Sequence, residues 1–385
     1  MRLNNNLIYR VYNNSVAILM DVKQNNLILL EDEALALWLT LKSGTRIDDA
    51  IKALPAFVEL TQAGVIEAPI DNVTGLNPEN KKERIDLSVL NLWAFKNHIP
   101  LSGHFELTGR CNLRCKHCYC LFEHQKDILS TAQVLSILDD LRDSGTFGLV
   151  LTGGEIFFRD DIMEILNHLN ENHFIIRINT NGTYINEKIV QQLSQFNNIY
   201  RIHVSIYGAD AKIHDAITNS RGSFDKTINA LKLMKAAGLN LRINCSLMQE
   251  NFDSYKRIKL EIGDKLSIPV HYDSVIFPKD DGSLDNTKDE LNQEQTESFM
   301  FDREQKNDAV IKKPKLCKAG FSFFSICEDG SLYPCLKMKR YYKNPLGNLQ
   351  TDKFNDIWNH SGAIQQIRSI LTDKLRDCNV CDISI

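Results

Sequence analysis

Three thiols fall within eight residues of one another: Cys111-Asn112-Leu113-Arg114-Cys115-Lys116-His117-Cys118. This CxxxCxxC spacing lets one short loop present three thiolates, enough for three irons of a [4Fe–4S] cluster. The fourth iron of such a cluster stays open, which is what a cluster needs to bind and activate a second molecule. Zinc is the rival reading, but a structural zinc site wants a fourth ligand, and only Cys120 or His117 stands close enough in sequence.

A second group of cysteines lies towards the C-terminus: Cys317, Cys327, Cys335, Cys378 and Cys381. Cys317 and Cys335 flank Glu328-Asp329-Gly330, where Gly330 suits the positive φ of a hairpin turn and swings Cys335 back towards Cys317. Cys378-Asn379-Val380-Cys381 can grip one metal. Four thiolates fill all four irons, so this second cluster would be closed, an electron relay or a clamp; four-ligand zinc is the alternative. Cys327, at a strand end, reads as packing, and Cys245 stands alone.

The remaining composition says where such chemistry would run. With 385 residues, 45 basic against 49 acidic and 43% hydrophobic, the chain has the make-up of a soluble multidomain protein. No apolar run approaches the length of a membrane span, and the first residues lack the design of a signal peptide. Ten cysteines in a cytoplasmic protein stay reduced, so their clustering points to metal and not to disulfides.

Five segments must position these groups. Residues 1–70 carry strand patterns at 8–12, 16–22 and 27–30 between Asn-rich turns, then helical patterns at 34–41, 47–54 and 56–63: a winged-helix-like order. Residues 71–100 are polar and read as a partly helical linker. From 101 to 275, strands (103–107, 148–152, 174–179, 200–206, 240–247, 268–272) alternate with helices (131–143, 161–170, 186–195, 223–236, 252–262). That alternation builds parallel βαβ units with ligands at the strand carboxyl ends. Residues 276–315 read as a loop-rich connection or mobile insertion. Residues 316–385 carry the hairpin (321–326 and 331–335), a helix near 352–371 and the terminal cysteine pair.

The loop Cys111 to Cys118, followed by Tyr119, resembles the cluster loop of radical SAM enzymes, and further motifs of that family follow in order. Leu151-Thr152-Gly153-Gly154-Glu155 ends the second strand, with Ile156 where the family usually has Pro. Thr180-Asn181-Gly182 ends the third, and Ser205-Ile206-Tyr207-Gly208 the fourth, with Tyr207 in place of Asp. His214-Asp215 and Arg221-Gly222-Ser223-Phe224 resemble the segment after it. The resemblance implies an α/β fold, a partial (β/α)6 barrel, in which Cys111, Cys115 and Cys118 hold the [4Fe–4S] cluster. It implies that Gly153, Gly154, Glu155, Thr180, Asn181, Ser205 and Arg221 bind S-adenosylmethionine (SAM), and that the reduced cluster cleaves SAM to a 5′-deoxyadenosyl radical that removes a substrate hydrogen.

The C-terminal pattern resembles the SPASM/Twitch branch of this family, which implies an auxiliary [4Fe–4S] cluster on Cys317, Cys335, Cys378 and Cys381. Because the chain ends at Ile385, the shorter Twitch form with one auxiliary cluster is expected. Residues 1–70 resemble the RiPP recognition element through Ala17–Val22, Asn26–Leu30, Ala34–Trp38 and Ile47–Ile51. In that family a precursor's leader peptide adds a strand to the three-stranded sheet. DNA binding, the other use of a winged helix, is disfavoured by six basic residues against eight acidic ones in this segment.

The expectation is therefore a cytoplasmic radical SAM maturase of a ribosomally made peptide, forming a thioether or carbon–carbon crosslink or an epimer. A precursor peptide with its leader and an electron donor of flavodoxin or ferredoxin type would be its partners, and nucleic acid and membrane would not. The alternatives are an oxidase of a protein side chain, like sulfatase maturases, and an iron–sulfur or zinc regulator that binds DNA. His271 and Asp273, closing the last barrel strand, are candidate acid or base groups. A leader module of this kind is expected to be dispensable for SAM cleavage.

Overall fold

The computed structural model describes residues 2–67, 87–121, 126–304, 317–340 and 344–369. Near the N-terminus, β1 (Arg2–Leu3) pairs with β5 (Ile66–Glu67), and β2 (Ile8–Tyr12), β3 (Val16–Asp21) and β4 (Asn26–Glu31) form an antiparallel meander. Asn13, Asn14 and Asn25 take positive φ in its turns, a conformation Asn tolerates better than most residues. Helix Asp32–Lys42 buries Ala34, Leu35, Leu37, Trp38 and Leu41, the face its spacing predicts. The two short helices expected next are Asp49–Lys52 and Pro55–Gln62, and Pro55 opens the second at its first position, where its missing N–H costs nothing.

Strand alternation divides the meander's side chains between two cores. Ala17, Leu19, Ile28 and Leu30 pack on the helices of the module. Ile8, Ile18 and Met20 pack on Leu90, Ala94, Leu101 and Phe147, which belong to the rest of the chain. This is why β3 reads as a nearly continuous apolar run: it is covered on both faces. Tyr12 donates to the Gly145 carbonyl at 3.0 Å and Arg10 to that of Asn172 at 3.2 Å. Within the stretch expected to be a linker, helix Leu87–Lys96 is thus a packed wedge, with Leu90 and Ala94 buried.

Six parallel strands follow in sequential order: β6 (Ser102–Thr108), β7 (Gly148–Gly153), β8 (Ile175–Thr180), β9 (Ile199–Ser205), β10 (Leu241–Ser246) and β11 (Val270–Asp273). Helices Thr131–Asp143, Ile162–Glu171, Glu187–Leu193 and Ser223–Ala236 connect them and agree with the sequence expectation. The helix expected at 252–262 is instead broken into short turns, with a wide-turn stretch at Ile258–Gly263.

The C-terminal hairpin does not stand apart. β12 (Phe323–Ile326) runs parallel beside β6, and β13 (Ser331–Tyr333) and β14 (Gly347–Asn348) extend the sheet to nine strands. Gly103 permits this join: a Cβ there would run into the Phe324 ring. Phe324 packs in turn on Phe354 and Trp358. The single helix expected near 352–371 is two, Phe354–His360 and Gly362–Ser369, with extended Ser361 between them. The connection at 276–315 also departs from the expectation of a loose insertion, since helix Gln293–Glu304 buries Phe299 in the main core.

Candidate functional site

The carboxyl ends of β6 to β11 open on a cavity of about 520 Å3, lined by Cys111, Cys115 and Cys118 and by Gly153, Gly154, Thr180, Asn181 and Ser205. Its seat begins at the end of β6. The Gly154 and Glu155 N–H groups donate to the Thr108 and Arg110 carbonyls at 2.7 and 2.8 Å. A Cβ on Gly153 would strike the Thr108 carbonyl, and one on Gly154 that of Arg110, so only glycine lets the two turns nest.

Further contacts hold the cysteine loop on both sides. Arg114 and Lys116 donate backbone N–H groups to Thr218 and Ile217 at 3.2 and 3.0 Å. Asn286, buried in the connecting segment, donates its amide to the His117 and Cys118 carbonyls, each at 3.2 Å. Asp280 N–H reaches the Tyr119 carbonyl at 3.0 Å. Sequence reasoning missed Asn286 because an Asn in a polar stretch carries no signal of what it will cap.

Glu155 differs from the expectation that it contacts SAM. It is fully buried, absent from the cavity lining, and accepts from Thr180 Oγ1 (2.7 Å), Asn181 N (2.7 Å) and Phe157 N (3.1 Å). Burial pushes its carboxyl up to about 6, against these three donors. Its role is to fix the end of β8. Asn181 then meets the cysteine loop, with its amide 3.0 Å from Asn112 Oδ1 and 3.8 Å from Cys111 Sγ.

Arg221 is likewise not in the lining; it is exposed on the turn before helix Ser223–Ala236. That turn is held by Asp215, whose carboxylate accepts from Gly222 N, Phe224 N and Ser223 Oγ at 2.6, 2.8 and 2.9 Å. The segment 214–224 is therefore a capping device. His214 accepts the Tyr207 N–H at 3.2 Å, and the Tyr207 ring meets His117 edge-on at 4.6 Å. Tyr207 occupies with packing the place where the family's Asp would bring charge.

Of the C-terminal cysteines, Cys335 lines the same cavity, together with Leu336, Lys337 and Arg340. Gly330 takes the expected positive φ of 81°. Cys317 is exposed on the same end of the hairpin, where Gly320 approaches Pro334. Cys378 and Cys381 lie outside the described residues. Cys327 is buried, as a packing cysteine should be, and its neighbours are Glu106 and Glu328. Asp273 lines the cavity and His271 does not. Lining residues that sequence reasoning did not single out are His104, Asn179, His203 and Asn244, on inward positions of four strands.

The donor set fits an iron cluster. Burial pushes the Cys111 thiol up to about 11 and that of Cys115 higher still, so each holds its proton until a metal displaces it. A hydrogen bond with Cys120 holds the Cys118 thiol below its ordinary value.

An open parallel barrel with three converging thiols at its strand ends defines an iron–sulfur protein with room for a second ligand. Residues 105–259 match the radical SAM superfamily and residues 317–382 the SPASM iron–sulfur cluster-binding domain. The chain carries a radical SAM domain and a SPASM domain. The first domain binds a [4Fe–4S] cluster and SAM, the second auxiliary iron–sulfur clusters.

Three relatives are informative. The subtilosin biosynthesis protein AlbA of Bacillus subtilis is 28% identical over 275 residues, 68% of this chain and 60% of AlbA. The PqqA peptide cyclase of Granulibacter bethesdensis is 25% identical over 302 residues, 74% of this chain and 80% of the cyclase. The structure of Streptococcus suis SuiB bound to its precursor peptide SuiA shares the fold at 17% identity, with a TM-score of 0.64 over 96% of this chain and 90% of SuiB.

Proposed function

We propose that this chain is a radical SAM maturase that modifies a ribosomally synthesised precursor peptide by hydrogen abstraction. The observation that carries the reading is the cavity itself, which is lined both by the three thiols of the CxxxCxxC loop and by Cys335 of the SPASM segment. The names of AlbA and the PqqA peptide cyclase and the peptide bound to SuiB support a peptide as substrate. When bound, the cluster and SAM supply one-electron chemistry that removes a hydrogen atom from carbon.

The chain's own residues orient and dry the site. Cys111, Cys115 and Cys118 hold the cluster, and Cys317, Cys335, Cys378 and Cys381 hold an auxiliary one. Gly153, Gly154, Thr180, Asn181 and Ser205 surround SAM, with Glu155 holding the β8 turn behind them. Leu113, Ile276 and Phe277 supply an apolar wall that excludes water. Residues 1–70 receive the leader as an added strand, since β2 and β4 have no further partner among the described residues. A flavodoxin or ferredoxin in the cytoplasm donates the electron. No helix among the described residues is long and apolar enough to cross a membrane.

The test is anaerobic reconstitution followed by reduction with SAM present. Wild type should release 5′-deoxyadenosine and Cys115→Ala should release none. Equal release from the two proteins would refute the reading.

A further inference from the structure

Below the cysteines, the inner face of the barrel carries three arginines with no acid to balance them. Arg177, Arg201 and Arg242 stand two residues before Asn179, His203 and Asn244 on β8, β9 and β10. Those three polar residues line the cavity, and residues two apart on a strand share a face, so the arginines form the next layer down. Arg177 lies directly beside Arg201 in the β8–β9 register, and Arg242 beside His203. An irregularity in that register brings Tyr200 under both guanidiniums, each 5.3 Å from its ring centroid.

Like charges side by side on neighbouring strands are unfavourable. Natural sheets offset them with carboxylates, yet among the described residues none of the three arginines makes an ion pair. Arg201 Nε is buried without a hydrogen-bond partner, as are the Asn179 and Asn244 carbonyl oxygens and His104 Nδ1. The groups acting on this layer are all basic. His203 is pushed down to about 4 by burial and then by Arg242, Arg177, Arg201 and His271. His104 is pushed down by burial and then Arg177, and Arg242 by burial and then the other two arginines. The leading influences on the three include no carboxylate.

We propose that Arg177, Arg201 and Arg242 form a carboxylate-binding subsite in the barrel lumen, and that a peptide entering the cavity seats an acidic side chain there. The inference rests on the peptide-modifying reading for its ligand. Guanidinium forks pair with carboxylates in two parallel hydrogen bonds, which fixes direction as well as position. A residue gripped at this layer fixes the path of the chain that leads up into the cavity, about 10 Å or more of rise to the strand ends. The subsite is thus a specificity device: it selects peptides with Asp or Glu a few residues from the modified position.

The test measures binding to the reconstituted protein with SAM and without reductant, so a protein that fails to cleave SAM still answers it. Three labelled heptapeptides serve as probes: one with a central Glu and an amidated C-terminus, its central Gln analogue, and the Gln analogue with a free C-terminal carboxylate. Fluorescence anisotropy at low salt should give the Glu peptide about tenfold tighter binding than the amidated Gln peptide, the factor a charge-assisted pair supplies. That gap should close in Arg201→Gln/Arg242→Gln and narrow in Arg177→Gln, since Arg177 stands at the solvent-exposed edge of the layer and the other two are half-buried. Tight binding of the free-carboxylate peptide, lost in the same variants, supports the subsite with a chain terminus as its occupant. Equal binding of the Glu and amidated Gln peptides, including no measurable binding of either, overturns the proposal, as does a Glu preference that survives the double substitution.

Discussion

Lys339 and Glu106, 233 positions apart in sequence, meet at 3.4 Å beneath the cysteine loop. The Lys339 ammonium also reaches Asp280 at 2.9 Å and Glu328 at 3.4 Å, and Tyr119 donates to Glu106 at 2.9 Å. One cation therefore joins the first barrel strand, the connecting segment and the C-terminal hairpin. Glu106 is only 2% exposed on its side chain and Lys339 14%, so water screens the cluster poorly.

Replacing Lys339 by Met should leave three crowded carboxylates without their shared partner. Removing one side of a buried ion pair costs about 3 kcal/mol or more, and here Arg340 still faces Asp280 at 3.3 Å. Denaturant unfolding should report a loss near that size. A change below about 0.5 kcal/mol, the range of an ordinary surface substitution, would mean that Lys339 is dispensable to the join.

Stability should also depend on pH through Glu106. Burial, partly offset by Lys339, pushes its carboxyl up to about 7 from the ordinary 4.5. A folded value above the unfolded one gives a contribution that is full below about 4.5 and is lost as pH rises through about 7. Urea midpoints of wild type and Glu106→Gln should therefore diverge, with the variant gaining relative to wild type from pH 5 to pH 8. A constant difference across that range would show that Glu106 does not titrate there.

Gly154→Ala should unseat the cysteine loop, because the new Cβ meets the Arg110 carbonyl and the Cys111 Cβ. Iron bound to the CxxxCxxC loop and 5′-deoxyadenosine formation should both fall by a large factor. Gly238→Ala is the control: it has positive φ but nothing within 4 Å, so its cost is only about 1 kcal/mol of backbone strain. Equal iron loading of the two variants would remove the nested-turn account.

Deleting residues 1–70 tests the module's independence. The sequence pattern alone suggests a detachable unit, but the meander shares a core with Leu90, Leu101 and Phe147 and is bonded to the barrel by Arg10 and Tyr12. The truncated protein should expose this apolar face and aggregate or lose several degrees of Tm. A monomeric truncation with wild-type Tm would restore the detachable picture.

Much of this was legible because local chemistry and global position agreed. Ser130 and Gln133 form the capping box that starts helix Thr131–Asp143 where the pattern begins. Gly153, Gly154 and the three cysteines are found at strand ends because β6 and β7 begin as alternating runs that mark them as strands. Legibility failed where a residue's partner is remote. Nothing around Asn286 or Lys339 announces His117 or Glu106, and nothing around Gly103 announces that Phe324 will occupy its missing side chain. Glu155 was placed at the right strand end, but its three hydrogen bonds to Thr180, Asn181 and Phe157 were not legible, since a motif marks position and not which way a carboxylate turns.

The meander lies against residues that precede the barrel strands, such as Leu101 and Phe147, whereas the thiols lie beyond the strands' far ends. Strand β6 has seven residues, about 23 Å of rise at 3.3 Å each. A peptide anchored at the meander's edge with its reactive residue among the cysteines must bridge at least that height. Extended chain needs about seven residues for it, and any detour needs more. On the proposed function the enzyme is then a caliper. Shortening a precursor below that gap should silence it even with leader and target residue intact, whereas lengthening should shift which residue is altered.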